Sequence, residues 1–171
     1  MNEYYAAGTG YHYDTTHKKT RRARPKPMNF EAYAADGNRF INEVAYELGT
    51  DRQSAARITR AVLHAIRDRM PAIDAIQFAQ GLPMALKGIF IDQYDISKVP
   101  VVIRHPGKFL DFIYEKAGLT AAVDFYDDHA IIEALQAVFY VLEQNMDLGQ
   151  VQQVKHIFND EITHLIDNYK R

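Results

Sequence analysis

The sequence contains no cysteine and no tryptophan, and serine occurs only twice in its 171 residues. The absence of cysteine excludes disulfide bonds and thiolate chemistry. Neither Ser54 nor Ser97 lies in a G-x-S-x-G turn, and no histidine or aspartate spacing marks a catalytic triad. We therefore predict no catalytic residue, no cofactor and a protein that is not an enzyme.

Long hydrophobic runs are also missing. No stretch approaches the roughly 18 apolar residues of a membrane-spanning helix, and the first residues lack the pattern of a secretory signal. Apolar residues make up 47% and charged residues 25% of the chain, as in ordinary soluble globular proteins. These features favour a cytoplasmic protein of one domain, or of two small halves that share a core.

Charge is divided unevenly along the chain. Residues 1–27 contain six Lys or Arg and two acids, whereas residues 28–171 contain 14 Lys or Arg and 20 acids. The first segment also has four tyrosines, two prolines and little aliphatic surface, so we predict a disordered, basic, tyrosine-rich tail over residues 1–27. Its basic cluster consists of Lys18, Lys19, Arg21, Arg22 and Arg24.

The rest of the chain contains an internal repeat. The segment AVLHAIRDRM (Ala61–Met70) recurs as AVFYVLEQNM (Ala137–Met146) after a shift of 76 residues. The segment FINEVAYELG (Phe40–Gly49) recurs as FLDFIYEKAG (Phe109–Gly118) after a shift of 69, so the second copy has seven additional residues between its first two segments. A small helical unit cannot bury its apolar face alone, and we expect each copy to cover the other.

Apolar residues recur at helical spacing and predict an all-α fold of six to eight helices. We expect two tandem repeats related by a pseudo-two-fold axis, at residues 28–95 and 105–171, joined by a linker at 96–104. Within the linker, residues 99–103 indicate a short extended segment, which Pro100 restricts to the edge of a sheet.

Local signals predict where the helices begin and end. Gly49 is placed to end one helix, and Thr50 with Gln53 has the spacing of a capping box that begins the next. The last helix is predicted to run without a break from Leu148 to Tyr169, because its apolar stripe continues over this whole range.

The repeat preserves the apolar face but reverses charge. Arg57 and Arg67 correspond to Glu133 and Glu143 in the second copy. Equivalent helices packed face to face, or two chains packed head to tail, would bring these opposite charges together. The alternative is that both faces are solvated and their charges vary independently, since exposed ion pairs contribute little.

A basic stripe is a candidate binding surface. Arg57, Arg60, His64 and Arg67 follow helical spacing on the face opposite the apolar one. Together with the tail, the stripe could hold nucleic-acid phosphates, and the tail tyrosines could stack on bases. The acidic balance of residues 28–171 argues against this function, because folded nucleic-acid binders are usually basic.

A metal site is a weaker candidate. His156, Asp160 and His164 are spaced by four residues, and Glu161 with His164 forms a Glu-x-x-His step. Imidazole and carboxylate groups at helical spacing can bind a divalent metal, but a di-metal site of the ferritin type needs a second such step. A solvated polar helix face is the default interpretation of these residues.

A groove where the halves meet is a candidate protein-binding site. Leu82, Pro83, Leu86, Gly88 and Tyr94 would lie near it, with Gly88 permitting close backbone approach. Core packing and helix termination explain the same residues and are the favoured interpretation, because apolar stripes usually belong to a core.

Three segments resemble a bacterial family known only as domain of unknown function 2267. They are Ala61–Met70, GLPMALKGIFIDQYD (Gly81–Asp95) and RHPGKFL (Arg104–Leu110), and the resemblance spans roughly residues 36–170. Two departures are Tyr94, where we expect tryptophan, and Phe158–Asn159, where we expect a second Leu-Pro step. The resemblance implies a small, largely helical, cytoplasmic protein and supplies no catalytic residues.

These observations favour a non-enzymatic module that binds another protein or a second copy of itself. The first alternative is a protein associated with nucleic acid or another polyanion through its tail and basic stripe. The second alternative is a metal-dependent enzyme.

Overall fold

The structure, a computed structural model, describes residues 28–168, and this part of the chain contains helices but no strand. The all-α prediction is confirmed. None of these helices is both long and apolar enough to cross a membrane. The nine α-helices are α1 (Phe30–Leu48), α2 (Arg52–Asp68), α3 (Ala72–Gly81), α4 (Met84–Ile91), α5 (Pro106–Ala117), α6 (Ala121–Asp124), α7 (Asp128–Asn145), α8 (Leu148–Lys155) and α9 (Asp160–Asp167).

Helices in the two halves of the chain begin at positions related by the shift of 76 residues. Helices α2, α3 and α4 begin at residues 52, 72 and 84, and helices α7, α8 and α9 begin at residues 128, 148 and 160. Helices α1 and α5 end at residues 48 and 117, which differ by 69. Secondary structure therefore follows the same shifts as the apolar residues of the sequence.

Helices α2 and α7 form the centre of the fold and contact each other. Helix α1 packs on α2, α4 and α7, and α5 packs on α2, α7 and α9, while α3 contacts α8. One buried cluster contains side chains from both halves, including Phe40, Phe90, Phe109 and Phe139. Burial of such aromatic side chains is a dominant contribution to core stability.

The first helix boundary is partly as predicted. Gly49 ends α1 with φ of 60°, a left-handed conformation that glycine adopts readily. The prediction of a capping box at Thr50 and Gln53 is wrong, because the N-cap of α2 is Asp51. The Asp51 carboxylate accepts hydrogen bonds from the backbone N–H groups of Gln53 and Ser54, at 2.8 and 3.1 Å. The equivalent residue Asp127 caps α7 in the same way.

The unbroken last helix is also wrong. The chain leaves helical geometry after Lys155, and α9 begins anew with Asn159 as its N-cap. The break buries Phe158 against Phe109 and Phe139, at ring-centroid distances of 5.2 and 6.4 Å. Core packing thus overrides the helical pattern here, while the predicted end at Tyr169 lies outside the described residues.

The linker does not form the predicted extended strand. Residues 99–103 lie outside regular secondary structure, and a 3₁₀ turn at Ile96–Lys98 precedes them. The Val101 N–H donates to the carbonyl of Asp68 at 2.7 Å, and the Arg69 side chain donates to the carbonyl of Ile103. The end of α2 therefore satisfies groups that a neighbouring strand would otherwise bond.

The additional residues of the second copy form an insertion, which we define as residues 118–126. It contains a 3₁₀ turn at Gly118–Thr120 and the four-residue helix α6. Ala121 and Phe125 are buried and anchor the insertion. Its other large apolar side chains, those of Leu119, Val123 and Tyr126, are at least three-quarters exposed.

Helices α1 and α4 approach closely at Gly37. A Cβ atom added to Gly37 would lie 2.7 Å from the Cβ of Ala85, which is too close for two carbon atoms. The prediction that Gly88 allows the close approach is wrong, since a Cβ there would meet nothing within 4 Å.

We expect Gly37→Ala and Gly88→Ala to change stability in opposite directions. Gly37→Ala should lower the free energy of unfolding by about 1–3 kcal/mol, because α1 and α4 must move apart. Gly88→Ala should raise it by up to about 1 kcal/mol, because alanine favours the helix and nothing obstructs it. Urea unfolding of both variants tests this, and a stabilising Gly37→Ala would contradict the packing described here.

Candidate functional site

A polar cleft lies between α2 and the turn that follows α5. Its volume is about 640 Å³. We call it the arginine cleft because three arginines from α2 face it. The residues that line it are Arg57, Arg60, His64, Arg67, Gln93, Glu115, Lys116, Ala117, Gly118, Leu119 and Thr120.

Arg67 is the most buried charged side chain of the cleft, with only 2% of its surface exposed. Its Nη1 donates to the carbonyl oxygens of Phe90 and Asp92, at 2.6 and 2.8 Å, where α4 ends. Its guanidinium also lies over the ring of Tyr94, 4.7 Å from the centroid. Carbonyl groups in the last turn of a helix lack partners within that helix, and Arg67 satisfies them.

Asp68 holds Arg67 and Lys116 in place. Its carboxylate accepts from Nε of Arg67 at 2.7 Å and from Nζ of Lys116 at 2.5 Å. Burial opposes ionisation of this carboxyl group, but the hydrogen bonds from Arg67 and Lys116 outweigh burial and lower the pKa of Asp68. A charged Asp68 therefore ties α2 to α5.

His64 is buried and binds the same end of α4. Its Nε2 lies 2.7 Å from the carbonyl oxygen of Ile89. Because a carbonyl only accepts, Nε2 must carry the proton, and Nδ1 of the neutral ring is an acceptor. Burial, together with the nearby Arg67 and Arg60, lowers the pKa of His64 to about 4 despite the bond to Ile89.

Arg57 and Arg60 are the more exposed cations of the cleft. Arg57 makes a bidentate ion pair with Asp124 of the insertion, through Nε at 2.8 Å and Nη2 at 2.6 Å. The Asp124 side chain is almost fully buried in this pair, and its hydrogen bond raises the pKa of Arg57. Arg60 makes one contact of 3.1 Å with Asp92, in which both side chains are well exposed.

The shift of 76 residues carries the arginine cleft onto a second cleft of 420 Å³. Arg60, His64 and Arg67 correspond to Gln136, Tyr140 and Glu143, all of which line the second cleft. A neutral amide and a carboxylate thus replace the cations of Arg60 and Arg67 at equivalent positions.

Residues of the second cleft also bind the end of α9. Nε2 of Gln136 donates to the carbonyl of Leu165 at 2.5 Å, and Leu165 corresponds to Ile89. Lys155 donates to Glu143 and Asp167 at 2.7 and 2.6 Å. Burial opposes the charge of Lys155, but these two carboxylates raise its pKa. The hypothesis that Arg57 pairs with Glu143 within the chain is therefore wrong, since Arg57 binds Asp124 and Glu143 binds Lys155. Head-to-tail packing of two chains stays a prediction.

A protein family described as an uncharacterized conserved protein (DUF2267) matches residues 37–165. The chain belongs to this family. The predicted resemblance is thereby confirmed, and the DUF2267 region contains every residue that lines the arginine cleft. No curated protein matches the chain.

In this DUF2267 protein, two of the four residues of the predicted basic stripe are buried. His64 and Arg67 are buried, so the prediction that they face solvent beside Arg57 and Arg60 is wrong. The physical reason is that the end of α4 needs donors, which the polar side of α2 supplies. The tail residues Lys18, Lys19, Arg21, Arg22 and Arg24 lie outside the described residues.

The predicted groove residues are dispersed. Leu82 and Leu86 are buried in the core, and of the five residues only Leu86 lines an apolar groove, which lies among α1, α2 and α4 within one half. Pro83 precedes α4 as its N-cap, and Gly88 lies in open space. Tyr94 is half-buried beneath Arg67, and burial raises the pKa of its hydroxyl group. These residues do not form a groove between the halves.

The predicted metal ligands do not share one helix. His156 lies in the break after α8, whereas Asp160, Glu161 and His164 lie on α9, and all four are exposed. Residues 28–168 contain no group of three or more His, Asp or Glu side chains able to hold a metal. The break that buries Phe158 is what separates His156 from the others.

Of the residues that line the arginine cleft, sequence reasoning found only those of α2, and it missed the acids that support them. Lys116, Asp124 and Gln93 come from segments far from α2 along the chain, so no spacing rule connects them. Asp68 is adjacent to Arg67, and this adjacency was the one available signal. The sequence showed that the second copy has seven additional residues. It did not show that Asp124 would hold them against Arg57.

We expect His64 to make stability depend on pH between about 6.5 and 4. In this window an unfolded histidine binds a proton that folded His64 excludes, so the free energy of unfolding falls as pH falls, by at most about 3 kcal/mol. Above pH 6.5 both states are neutral and the effect vanishes. His64→Gln keeps a donor for Ile89 and should lack this dependence.

Urea unfolding of wild type and His64→Gln at pH 7, 5.5 and 4.5 measures the difference. Arg60, Arg67 and Asp68 face His64 in both proteins, so their contributions largely cancel. Parallel stability curves for the two proteins would contradict a neutral, buried His64.

We expect Arg67→Ala to be far more destabilising than Arg60→Ala. Loss of Arg67 leaves the Phe90 and Asp92 carbonyls without that donor and weakens the pairing of Asp68, at a cost of about 3–5 kcal/mol. The exposed Arg60–Asp92 pair should contribute no more than about 1 kcal/mol. Equal losses in urea unfolding would show that Arg67 does not stabilise the end of α4.

Proposed function

We propose that this protein is a non-enzymatic interaction module that binds a second copy of itself through the insertion at 118–126. The observation that supports this proposal is the exposure of Leu119, Val123 and Tyr126 together on one short segment. Exposed apolar patches on soluble proteins commonly mark interaction surfaces. In the first half, the corresponding connection between α1 and α2 has only three residues, so the fold itself does not require the longer segment.

The insertion is held in a defined conformation, which favours binding. Asp124 is fixed by two hydrogen bonds to Arg57, and Ala121 and Phe125 are buried. The exposed side chains on either side of these anchors therefore lose little conformational freedom on association.

A second copy is the occupant that the charges favour. Residues 118–123 contain no charged side chain, and that of Asp124 is buried in its ion pair. Two such patches can face each other across a two-fold axis without like-charge repulsion, and two-fold dimers are the commonest oligomers. Since the patch is small compared with the roughly 800 Å² per partner of a stable interface, we expect a weak dimer.

We also propose that the chain is a duplicated unit, with halves at 28–95 and 105–171 related by a pseudo-two-fold axis. The matching helix starts at 52, 72 and 84 and at 128, 148 and 160 support this proposal. The insertion then belongs to one copy only, so its surface is one that the duplicated unit does not need for burial.

Sedimentation velocity over a concentration series tests self-association. The wild-type chain should dimerise with a dissociation constant in the micromolar range or weaker. Leu119→Asp with Val123→Asp should make it monomeric, because the new carboxylates would face each other across the two-fold axis. Added salt should not weaken the dimer, because it screens repulsion between like-charged copies.

A matched control places two carboxylates on other exposed apolar residues. Ile96 and Val102 are about as exposed as the patch residues and lie in the linker region. Ile96→Asp with Val102→Asp should leave the dimer intact. A wild-type chain that stays monomeric at its highest soluble concentration would overturn the proposal, and so would equal loss of the dimer in both double variants.

Binding of nucleic acid through the tail and Arg57 and Arg60 stays a prediction. Residues 28–171 are acidic overall, and two members of the stripe are buried. Such binding would weaken steeply with salt, which is opposite to the behaviour expected of the apolar dimer.

A further inference from the structure

We propose that the arginine cleft binds a small molecule through an oxyanion group, of the phosphate or carboxylate type. This goes beyond self-association, because it assigns a ligand class to the arginine cleft, which adjoins the insertion and shares Leu119 with it. Its basis is the arrangement of cations around the cleft.

The wall of the cleft is strongly cationic although its residues are paired. Four cations line it, namely Arg57, Arg60, Arg67 and Lys116, and Glu115 is the one acid that does so. The carboxylates that pair with these cations belong to Asp68, Asp92 and Asp124, none of which lines the cleft. The acids therefore support the cations from outside the wall.

The ion pairs orient two guanidinium groups, and that of Arg57 keeps a donor for a ligand. Arg57 uses Nε and Nη2 for Asp124, which leaves Nη1. Arg67 uses Nε for Asp68 and Nη1 for two backbone carbonyls, and since only 2% of its surface is exposed it contributes positive charge behind the wall of the cleft. Guanidinium groups match phosphate and carboxylate geometry, and fixing them in advance lowers the entropy lost on binding.

Arg60 can move from Asp92 to a ligand. Its single contact of 3.1 Å with Asp92 is solvent-exposed on both sides, so exchanging that carboxylate for a ligand oxyanion costs little. Arg60 is therefore the residue whose removal tests binding with least effect on the fold.

The backbone beside the cleft has an unusual conformation. Gln93 has φ of 56°, which non-glycine residues rarely adopt, and it lines the cleft together with Gly118, whose φ is 61°. Backbone strain of this kind concentrates at ligand sites. The amide of Gln93 adds an uncharged donor to the cations of the wall.

The size of the cleft favours a small molecule. Its volume of 640 Å³ lies within the usual range for small-ligand pockets.

Titrations of the full chain with inorganic phosphate, pyrophosphate and citrate test the proposal. Binding is followed by NMR chemical shifts, against sodium chloride at matched ionic strength. At least one oxyanion should shift resonances of α2 and residues 115–120 saturably, and comparison of the phosphates with citrate distinguishes the two oxyanion types. Arg60→Gln should weaken binding at least about tenfold, because it removes a charged hydrogen-bond donor.

Arg39→Gln is the matched control, since Arg39 is an exposed, ion-paired arginine on α1 away from the cleft. It should leave the affinity unchanged. Lys116→Met is a second cleft variant and should also weaken binding. The proposal is overturned if no oxyanion binds beyond the chloride reference, or if Arg39→Gln weakens binding as much as Arg60→Gln.

Discussion

The fold depends on supplying hydrogen-bond donors to the carbonyl groups where α4 and α9 end. In the first half His64 and Arg67 of the central helix α2 supply them directly. In the second half Gln136 of α7 binds the carbonyl of Leu165, and Lys155 connects Glu143 to Asp167 at the end of α9. Helix α2 therefore binds the end of α4, and helix α7 binds the end of α9. One apolar core contains side chains from both halves.

This constraint explains how charge can reverse while packing is preserved. At position 67 the cation of Arg67 binds the carbonyls at the end of α4 directly. At position 143 the anion of Glu143 binds Lys155, which in turn binds the side chain of Asp167 at the end of α9. Burial of a charge requires a partner, but either sign is acceptable when a neighbour supplies the opposite one. The two clefts consequently lie at equivalent positions along α2 and α7 and differ in chemistry, with cations lining one and Glu143 with Lys155 lining the other.

Apolar periodicity was sufficient to predict the helical class, because burial of a stripe is a local requirement of each helix, and Gly49 was sufficient to predict the end of α1. The prediction failed where tertiary contacts compete with local pattern. The last helix is broken where Phe158 packs in the core, and Arg67 is buried because it binds the end of α4. The partners of the arginine cleft, Asp124 and Lys116, come from distant segments, and their meeting with α2 is a property of the fold rather than of any spacing.

The insertion separates the residues that attach it from the residues it displays. Asp124, Ala121 and Phe125 hold it against α2 and the core, whereas Leu119 and Val123 contact solvent. Substitutions at the displayed positions are therefore expected to leave the attachment and the helical core undisturbed. The segment has the properties of a graft point, at which recognition could be altered by changing a few side chains on a scaffold that stays the same.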